Sequence, residues 1–181
     1  MSNPAYQTPG GEHFARTNRQ TVAQRAALIR KLLPGLQSIG ELCCGDCTRQ
    51  ADAYRRLGVA RYVGLDLSPR IVAANQARGI DCLHGDVLDP AVLRQFLDFD
   101  LLCFGPPLSI DCDGHRLLGF DQVTPGYAAF SHRLWAELGY QGTAISICPT
   151  TTTPGDLRRL YDALRLNRPE VGLRLVYESW S

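Results

Sequence analysis

Apolar positions along the chain change period repeatedly, from helical to strand-like and back. From Asn18, the residues Val22, Ala26, Ile29 and Leu33 keep one face apolar at helical spacing, and Pro34-Gly35 stops the helix. The next apolar run begins at Ser38 and ends in Glu41, small residues and Gly45, which reads as a buried strand entering a tight loop. Ala51, Tyr54 and Leu57 then recur at helical spacing up to Gly58, so that loop joins a strand to a helix. Residues 62–67 form a second strand ending near Asp66. Ser68-Pro69 is an N-cap followed by proline at the first helical position, and Gly79 closes the crossover helix. Residues 80–84 give a third strand before Gly85-Asp86, and Asp89-Pro90 repeats the cap-proline device for a helix buried through Val92, Leu93, Phe96 and Leu97. Residues 99–104 are almost continuously apolar, as in a strand covered on both faces. Thr124-Pro125 opens a helix with Tyr127, Phe130, Leu134 and Leu138 inward and Gly139 at its end; residues 142–147 are a fifth strand, Thr153-Pro154 starts another helix, and residues 171–177 are a sixth strand.

This alternation predicts an α/β fold, a doubly wound and mostly parallel sheet with helices on both faces and every strand's C-terminal end on one rim. Residues 1–17, with Pro4, Pro9, Gly10 and Gly11, read as a flexible leader, and residues 18–181 as one domain. A chain of 181 residues, 45% of them hydrophobic, suits a single core. Its apolar runs are too short to cross a bilayer and its polar start lacks a secretory signal, so a cytoplasmic protein with no membrane association is expected. Seven cysteines, several in apolar runs, fit reduced and packed thiols. Cys44 and Cys47 form a Cys-x-x-Cys, yet no second pair or nearby histidine completes a ligand set, so no metal site is expected. The net charge of +1 is unevenly placed: residues 1–40 carry Arg16, Arg19, Arg25, Arg30 and Lys31 against Glu12 alone. Such a basic arm suits a phosphate backbone or, equally, a solvated helix face.

The loop after the first strand decides the ligand class. Asp66 lies about 20 residues beyond Gly45, at the tip of the neighbouring parallel strand, where an acid can hold the two hydroxyls of a ribose. A dinucleotide needs three glycines for its pyrophosphate to approach the backbone, whereas here Cys43 and Cys47 flank Gly45. A ligand without phosphates tolerates those side chains better. S-adenosyl-L-methionine is one, and Glu41 can face its cationic groups.

The stretch Glu41-Leu42-Cys43-Cys44-Gly45-Asp46-Cys47 resembles the first motif of class I S-adenosylmethionine-dependent methyltransferases, an acid followed by Gly-x-Gly-x-Gly. The resemblance implies a Rossmann-like methyltransferase that binds S-adenosyl-L-methionine through Glu41, Cys43, Gly45, Cys47, Asp66, Leu67, Asp86, Val87 and Phe104. In it, Asp86 resembles the residue that accepts a hydrogen bond from the adenine amino group. The family usually adds a seventh, antiparallel strand, for which no residues remain, so the edge at residues 171–177 is expected to pair with another copy in a homo-oligomer.

Gly105, Pro106 and Pro107 follow the fourth strand and are the catalytic candidates. The prolines remove backbone donors and fix φ, leaving carbonyls able to accept the hydrogens of an amino group held in line for methyl transfer. The segment resembles the fourth motif of amino-methylating nucleic-acid enzymes, although Gly105 and Leu108 replace its polar and aromatic ends, leaving Phe104 or Phe120 to stack on a base. Cys148-Pro149 resembles the nucleophile motif of RNA uracil C5-methyltransferases and reads equally as a buried thiol on an apolar strand. Asp111, Asp113 and His115 are candidate bases. The expected acceptor is an amino group of RNA or another nucleic-acid base; a small-molecule acceptor and a non-catalytic cofactor-binding partner subunit are the alternatives.

Overall fold

The computed structural model describes residues 19–104, 130 and 132–146. Five strands, β1 (Ser38–Leu42), β2 (Arg61–Asp66), β3 (Cys82–His84), β4 (Leu101–Phe104) and β5 (Thr143–Ser146), form one sheet in the order β3-β2-β1-β4-β5. Every pairing among them is parallel. The chain moves outward from β1 through β2 to β3, then crosses back to β4 on the other side of β1, so its direction of travel reverses between β1 and β4. A reversal of this kind leaves a crevice outside the C-terminal ends of the strands. The fold class and the parallel order are as the alternating pattern predicts.

Helices α1 (Arg19–Leu32), α2 (Thr48–Arg56) and α3 (Pro69–Gln76) form where the apolar spacing places them. Ser68 caps α3, its hydroxyl accepting from the Ile71 N–H, and Pro69 occupies the first turn. Gly58 and Gly79 take φ of +84° and +73°, the left-handed conformation that ends a helix at little steric cost.

Strand β1 is buried at all of its positions, and alternation along the strands sorts the core into two faces. Ile39, Leu101 and Cys103 meet Ala26 and Ile29 of α1 and Tyr54 of α2 on one face. Leu42, Leu65, Leu102 and Phe104 meet Leu93, Phe96, Leu134 and Tyr140 on the other.

Two elements differ from the expected pattern. The helix after Asp89-Pro90 is a single α-turn, α4 (Pro90–Leu93), followed by a 3-10 turn over Arg94–Phe96. The α-turn still buries Leu93, and the tighter turn Phe96, completely. The helix expected around Leu134 is π-helical over His132–Glu137, with the Leu138 N–H reaching back to the Arg133 carbonyl at 3.0 Å. The leader, the first part of the helix expected after Thr124 apart from Phe130, the whole of the helix expected after Thr153, the strand at residues 171–177 and its oligomer contact lie outside the described residues.

Candidate functional site

Parallel pairing brings Leu42, Asp66, His84, Phe104 and Ser146 to one edge of the sheet: Leu42 pairs with Leu65 and Phe104, Asp66 with His84, and Phe104 with Ser146. Asp86 follows β3 by two residues, so Asp66 and Asp86 share the same rim. Beyond β1 the Cys44 N–H still donates to the Leu65 carbonyl at 2.9 Å, carrying the ladder one residue into the loop. Cys43 then turns left-handed at φ +58°, as does Gly45 at φ +57°. This is a conformation that glycine adopts most readily, taken at Cys43 by a residue with a side chain.

Asp66 holds that loop directly. One carboxylate oxygen accepts the Gly45 N–H at 2.9 Å and the other accepts the Ser68 N–H at 2.9 Å. The side chain is only 2% exposed, and burial raises its pKa above the ordinary carboxylate value while the two N–H bonds pull it back. The acid and the glycine that the sequence pairs by spacing are thus in contact.

Glu41 is engaged elsewhere. Its two oxygens accept from the Arg25 guanidinium at 2.8 and 3.1 Å, a two-pronged pair buried between α1 and β1. Burial pushes the carboxyl up and Arg25 opposes it; burial is also the largest single influence on the guanidinium, but Glu41 together with Tyr54, Cys103 and Tyr62 outweighs it and holds Arg25 protonated, above its usual range. Phe104 is also buried, stacked on Phe130 with centroids 4.0 Å apart, as part of the core.

Asp86 is exposed, and one of its oxygens accepts the Leu88 N–H at 2.8 Å. Val87 is half-buried against the core, while Leu67 and Leu88 are the large apolar side chains that stand most exposed among the described residues, at 44% and 40%. Both flank the rim acids. Arg133 of the π-helical segment donates to the Leu88 carbonyl, fixing this part of the rim to the layer beneath.

Cys47 departs from the expected role of a bulky neighbour to the ligand. Its thiol is fully buried and turned inward, lying where a Cβ on Gly64 would meet it at 3.3 Å, so it does not crowd the mouth. Asp46 does the excluding instead. Its carboxylate sits at the N-terminus of α2, accepting the Thr48 N–H at 3.2 Å and hydroxyl at 2.6 Å, with Arg78 at 3.0 Å. Burial works against its ionisation, but the Thr48 bonds and Arg78 together lower its pKa. The helix end that would cradle a diphosphate already carries an anion.

Three residues of this region have a part that the sequence reading did not give them: Arg25, which it counted only in the basic arm, Cys82, which it counted only among the packed thiols, and Asn75, which it did not name. Arg25 sits on the apolar stripe of α1, between Val22 and Ile29, and Asn75 follows Val72 on the buried side of α3. A polar side chain on an apolar stripe needs a buried partner, and that was the available signal. Gly105, Pro106, Pro107, Asp111, Asp113, His115, Phe120 and Cys148 lie outside the described residues. A depression of about 690 Å³ lined by Arg61, Gln76, Ile80 and Phe99 runs along the opposite end of β3 and takes no part in the rim. Among the described residues no group of three or more His, Cys, Asp or Glu side chains is arranged to hold a metal ion, and no helix is long and apolar enough to cross a membrane.

No family model and no curated protein matches the sequence. Solved structures do match the fold. Magnesium protoporphyrin IX methyltransferase from Synechocystis PCC 6803, solved with bound S-adenosylmethionine, is 16% identical over 87% of this chain and 75% of its own, with a TM-score of 0.53. The sugar N-methyltransferase KedS8 from Streptoalloteichus sp ATCC 53650 is 18% identical over 80% of this chain, with a TM-score of 0.51. A TehB-like S-adenosylmethionine-dependent methyltransferase from Corynebacterium glutamicum is 21% identical over 86% of this chain and 82% of its own, with a TM-score of 0.50. The chain spans about half the length of several such structures, 54% of KedS8 and 47% of Streptomyces venezuelae DesVI. With its parallel sheet, its reversal beside β1 and its acid-tipped rim, the chain has the class I S-adenosylmethionine-dependent methyltransferase fold.

Proposed function

We propose that the protein is an S-adenosylmethionine-dependent methyltransferase with its cofactor over the C-terminal ends of β1, β2 and β3. The observation that carries this reading is the rim itself: two acids on adjacent strand ends, flanked by exposed Leu67 and Leu88, beside a helix N-terminus occupied by Asp46. Asp66 meets ribose hydroxyls with the lone pairs its backbone donors leave over, Asp86 accepts from the adenine amino group, and Leu67, Val87 and Leu88 give the flat ring apolar walls. Cys43, Gly45 and Cys47 shape the loop under the methionine part. Glu41, buried and neutralised by Arg25, acts through the position of that loop, and Phe104 through the packing below it. Bound there, the cofactor supplies an electrophilic methyl group. An Asp46 carboxylate facing the same helix end disfavours a nicotinamide dinucleotide.

For the acceptor, Gly105-Pro106-Pro107 supports an amino group, and the reading of an RNA or other nucleic-acid base rests on that segment. A small-molecule acceptor is favoured by the sugar and porphyrin named for two fold relatives. A cytoplasmic location, a homo-oligomer through residues 171–177 and a role for Cys148 belong to the same reading.

Calorimetry tests the cofactor. S-adenosylmethionine is expected to bind and NAD not to; Asp86→Ala should weaken S-adenosylmethionine about tenfold, or about 1.4 kcal/mol. Absence of binding by the wild-type chain, or NAD binding as tightly, refutes the reading. Filter binding of RNA at two salt concentrations separates the acceptor classes, because phosphate contacts make affinity fall steeply with salt.

A further inference from the structure

The Cys-x-x-Cys of the cofactor loop enters the reading above only through the packing of Cys47, yet the fold adds a third thiol to it. Cys44, Cys47 and Cys82 form one buried cluster with Ala51, Val72 and Ile80, and are 5%, 0% and 2% exposed. Cys82 begins β3, two strands away from β1, and it pairs with Gly64 of the intervening strand. Gly64 has no side chain, and the space a Cβ would fill is taken by Cys44 Sγ at 2.8 Å and Cys47 Sγ at 3.3 Å. The loop thiols therefore reach across the bare middle strand. Cys44 Sγ and Cys82 Sγ are 3.7 Å apart.

Asn75 of α3 closes over the pair. Its amide nitrogen lies 3.8 Å from Cys44 Sγ and 3.7 Å from Cys82 Sγ, and it donates to the Gly45 carbonyl at 2.9 Å. The side chain is fully buried, and its oxygen has no partner among the described residues. A buried amide that donates to two sulfurs, with its oxygen left over, sets a polar group against the thiols inside this otherwise apolar cluster.

We propose that Cys44 and Cys82 form a reversible disulfide with hydrogen peroxide as the oxidant, and that this bond switches the cofactor loop between a binding and a non-binding shape. Cys82 is the attacking sulfur. Hydrogen bonds from Cys44, Cys47 and Asn75 favour its thiolate and, against the opposing effect of burial, lower its pKa, while the bonds to Cys47 and Cys82 push Cys44 the other way. The Cys82 thiolate attacks one peroxide oxygen, the O–O bond breaks, and the departing oxygen leaves as water after taking up a proton. Cys44 sulfur then displaces the hydroxyl of the Cys82 sulfenic acid, the S–S bond forms, and a second water leaves with the Cys44 proton. Two thiols are oxidised, one peroxide is reduced, and a dithiol restores the start by exchange.

Closing the pair from 3.7 Å to an S–S bond of about 2.05 Å draws Cys44 toward β3. Cys44 lies between Cys43 and Gly45, whose left-handed φ of +58° and +57° set the loop, and Gly45 is the residue that Asp66 and Asn75 hold. The bond itself depends only on the thiols; its effect on affinity rests on the cofactor reading above.

The test uses the full chain, reduced, then treated with hydrogen peroxide and alkylated before digestion and mass spectrometry. The expected product is a peptide joining Cys44 to Cys82 that dithiothreitol dissolves. In the same samples S-adenosylmethionine affinity should fall about tenfold or more on oxidation and recover on reduction. Cys82→Ser should form no such peptide and keep its affinity in peroxide. Alkylation of both thiols after peroxide, Cys44 joined to Cys47 or another cysteine, sulfinic acid at Cys82, or a bond that leaves affinity unmoved would each overturn the proposal. If the reduced chain binds no cofactor, the functional reading fails, and the disulfide is still judged by the peptide map of the wild-type chain.

Discussion

Gly45 has φ +57° and nothing within 4 Å of the place a Cβ would take, whereas a Cβ on Gly64 would stand 2.8 Å from Cys44 Sγ. The two glycines are required for different reasons, backbone conformation at one and space at the other. Gly45→Ala should therefore cost about 1 kcal/mol, the left-handed penalty alone, and Gly45→Asn less, since asparagine tolerates that region. Gly64→Ala pushes into thiols that are buried on every side and should cost roughly 1–3 kcal/mol. Urea denaturation of the three variants checks the order. Equal losses, or a larger loss at Gly45, would show that the loop thiols do not depend on the bare strand. Of these two, Gly45 was legible in the sequence, because a glycine after a strand and before a helix has a local meaning. Gly64 was not, since what fills its space comes from a loop some twenty residues away.

Among the elements, β1 and β4 are joined at their N-terminal ends by Asp100. One carboxylate oxygen accepts the Gln37 N–H at 3.0 Å, the Ser38 N–H at 2.9 Å and the Ser38 hydroxyl at 2.9 Å, and the Asp100 N–H donates back to that hydroxyl. The Ser38 hydroxyl, then the Gln37 N–H, hold the Asp100 carboxyl below its usual range. The unfolded chain therefore binds a proton more readily than the folded one. The clamp's contribution is complete above the ordinary Asp pKa of about 3.9 and is lost as pH falls through the lower folded value. Asp100→Asn should lower stability by at most about 1 kcal/mol at neutral pH, because the group is exposed and screened. The gap from wild type should close below about pH 4. Thermal unfolding of both proteins between pH 7 and pH 3 measures it, and a gap that widens with acid contradicts the clamp. Elements were legible where caps and periodicity agree, as at Ser68-Pro69 and α3. The 3-10 turn at Arg94–Phe96 and the π-helical turn at His132–Glu137 were not, because apolar spacing fixes which residues face inward but not how tightly the backbone winds.

At the scale of the whole molecule, the layer containing α1 and α2 is tied to the sheet through a charge pair as well as through apolar contact. Arg25 and Glu41 are 7% and 4% exposed, the guanidinium lies 5.5 Å from the Tyr54 ring centroid, and Arg25 Nε has no partner among the described residues. Glu41, near the end of β1, is thus also where a covering helix meets the strand beside the reversal. Two charges withdrawn from water are stable only together. Arg25→Met leaves the Glu41 carboxylate buried without a counter-charge, and Glu41→Met does the same to the guanidinium, so each should cost roughly 3–5 kcal/mol. The double variant removes both charges and fills the space with apolar atoms, and should recover most of that loss. Chemical denaturation of the four proteins gives the coupling directly. Single costs that simply add would mean that α1 is held by its apolar stripe alone, and that Glu41 takes its position from the strand without help from Arg25.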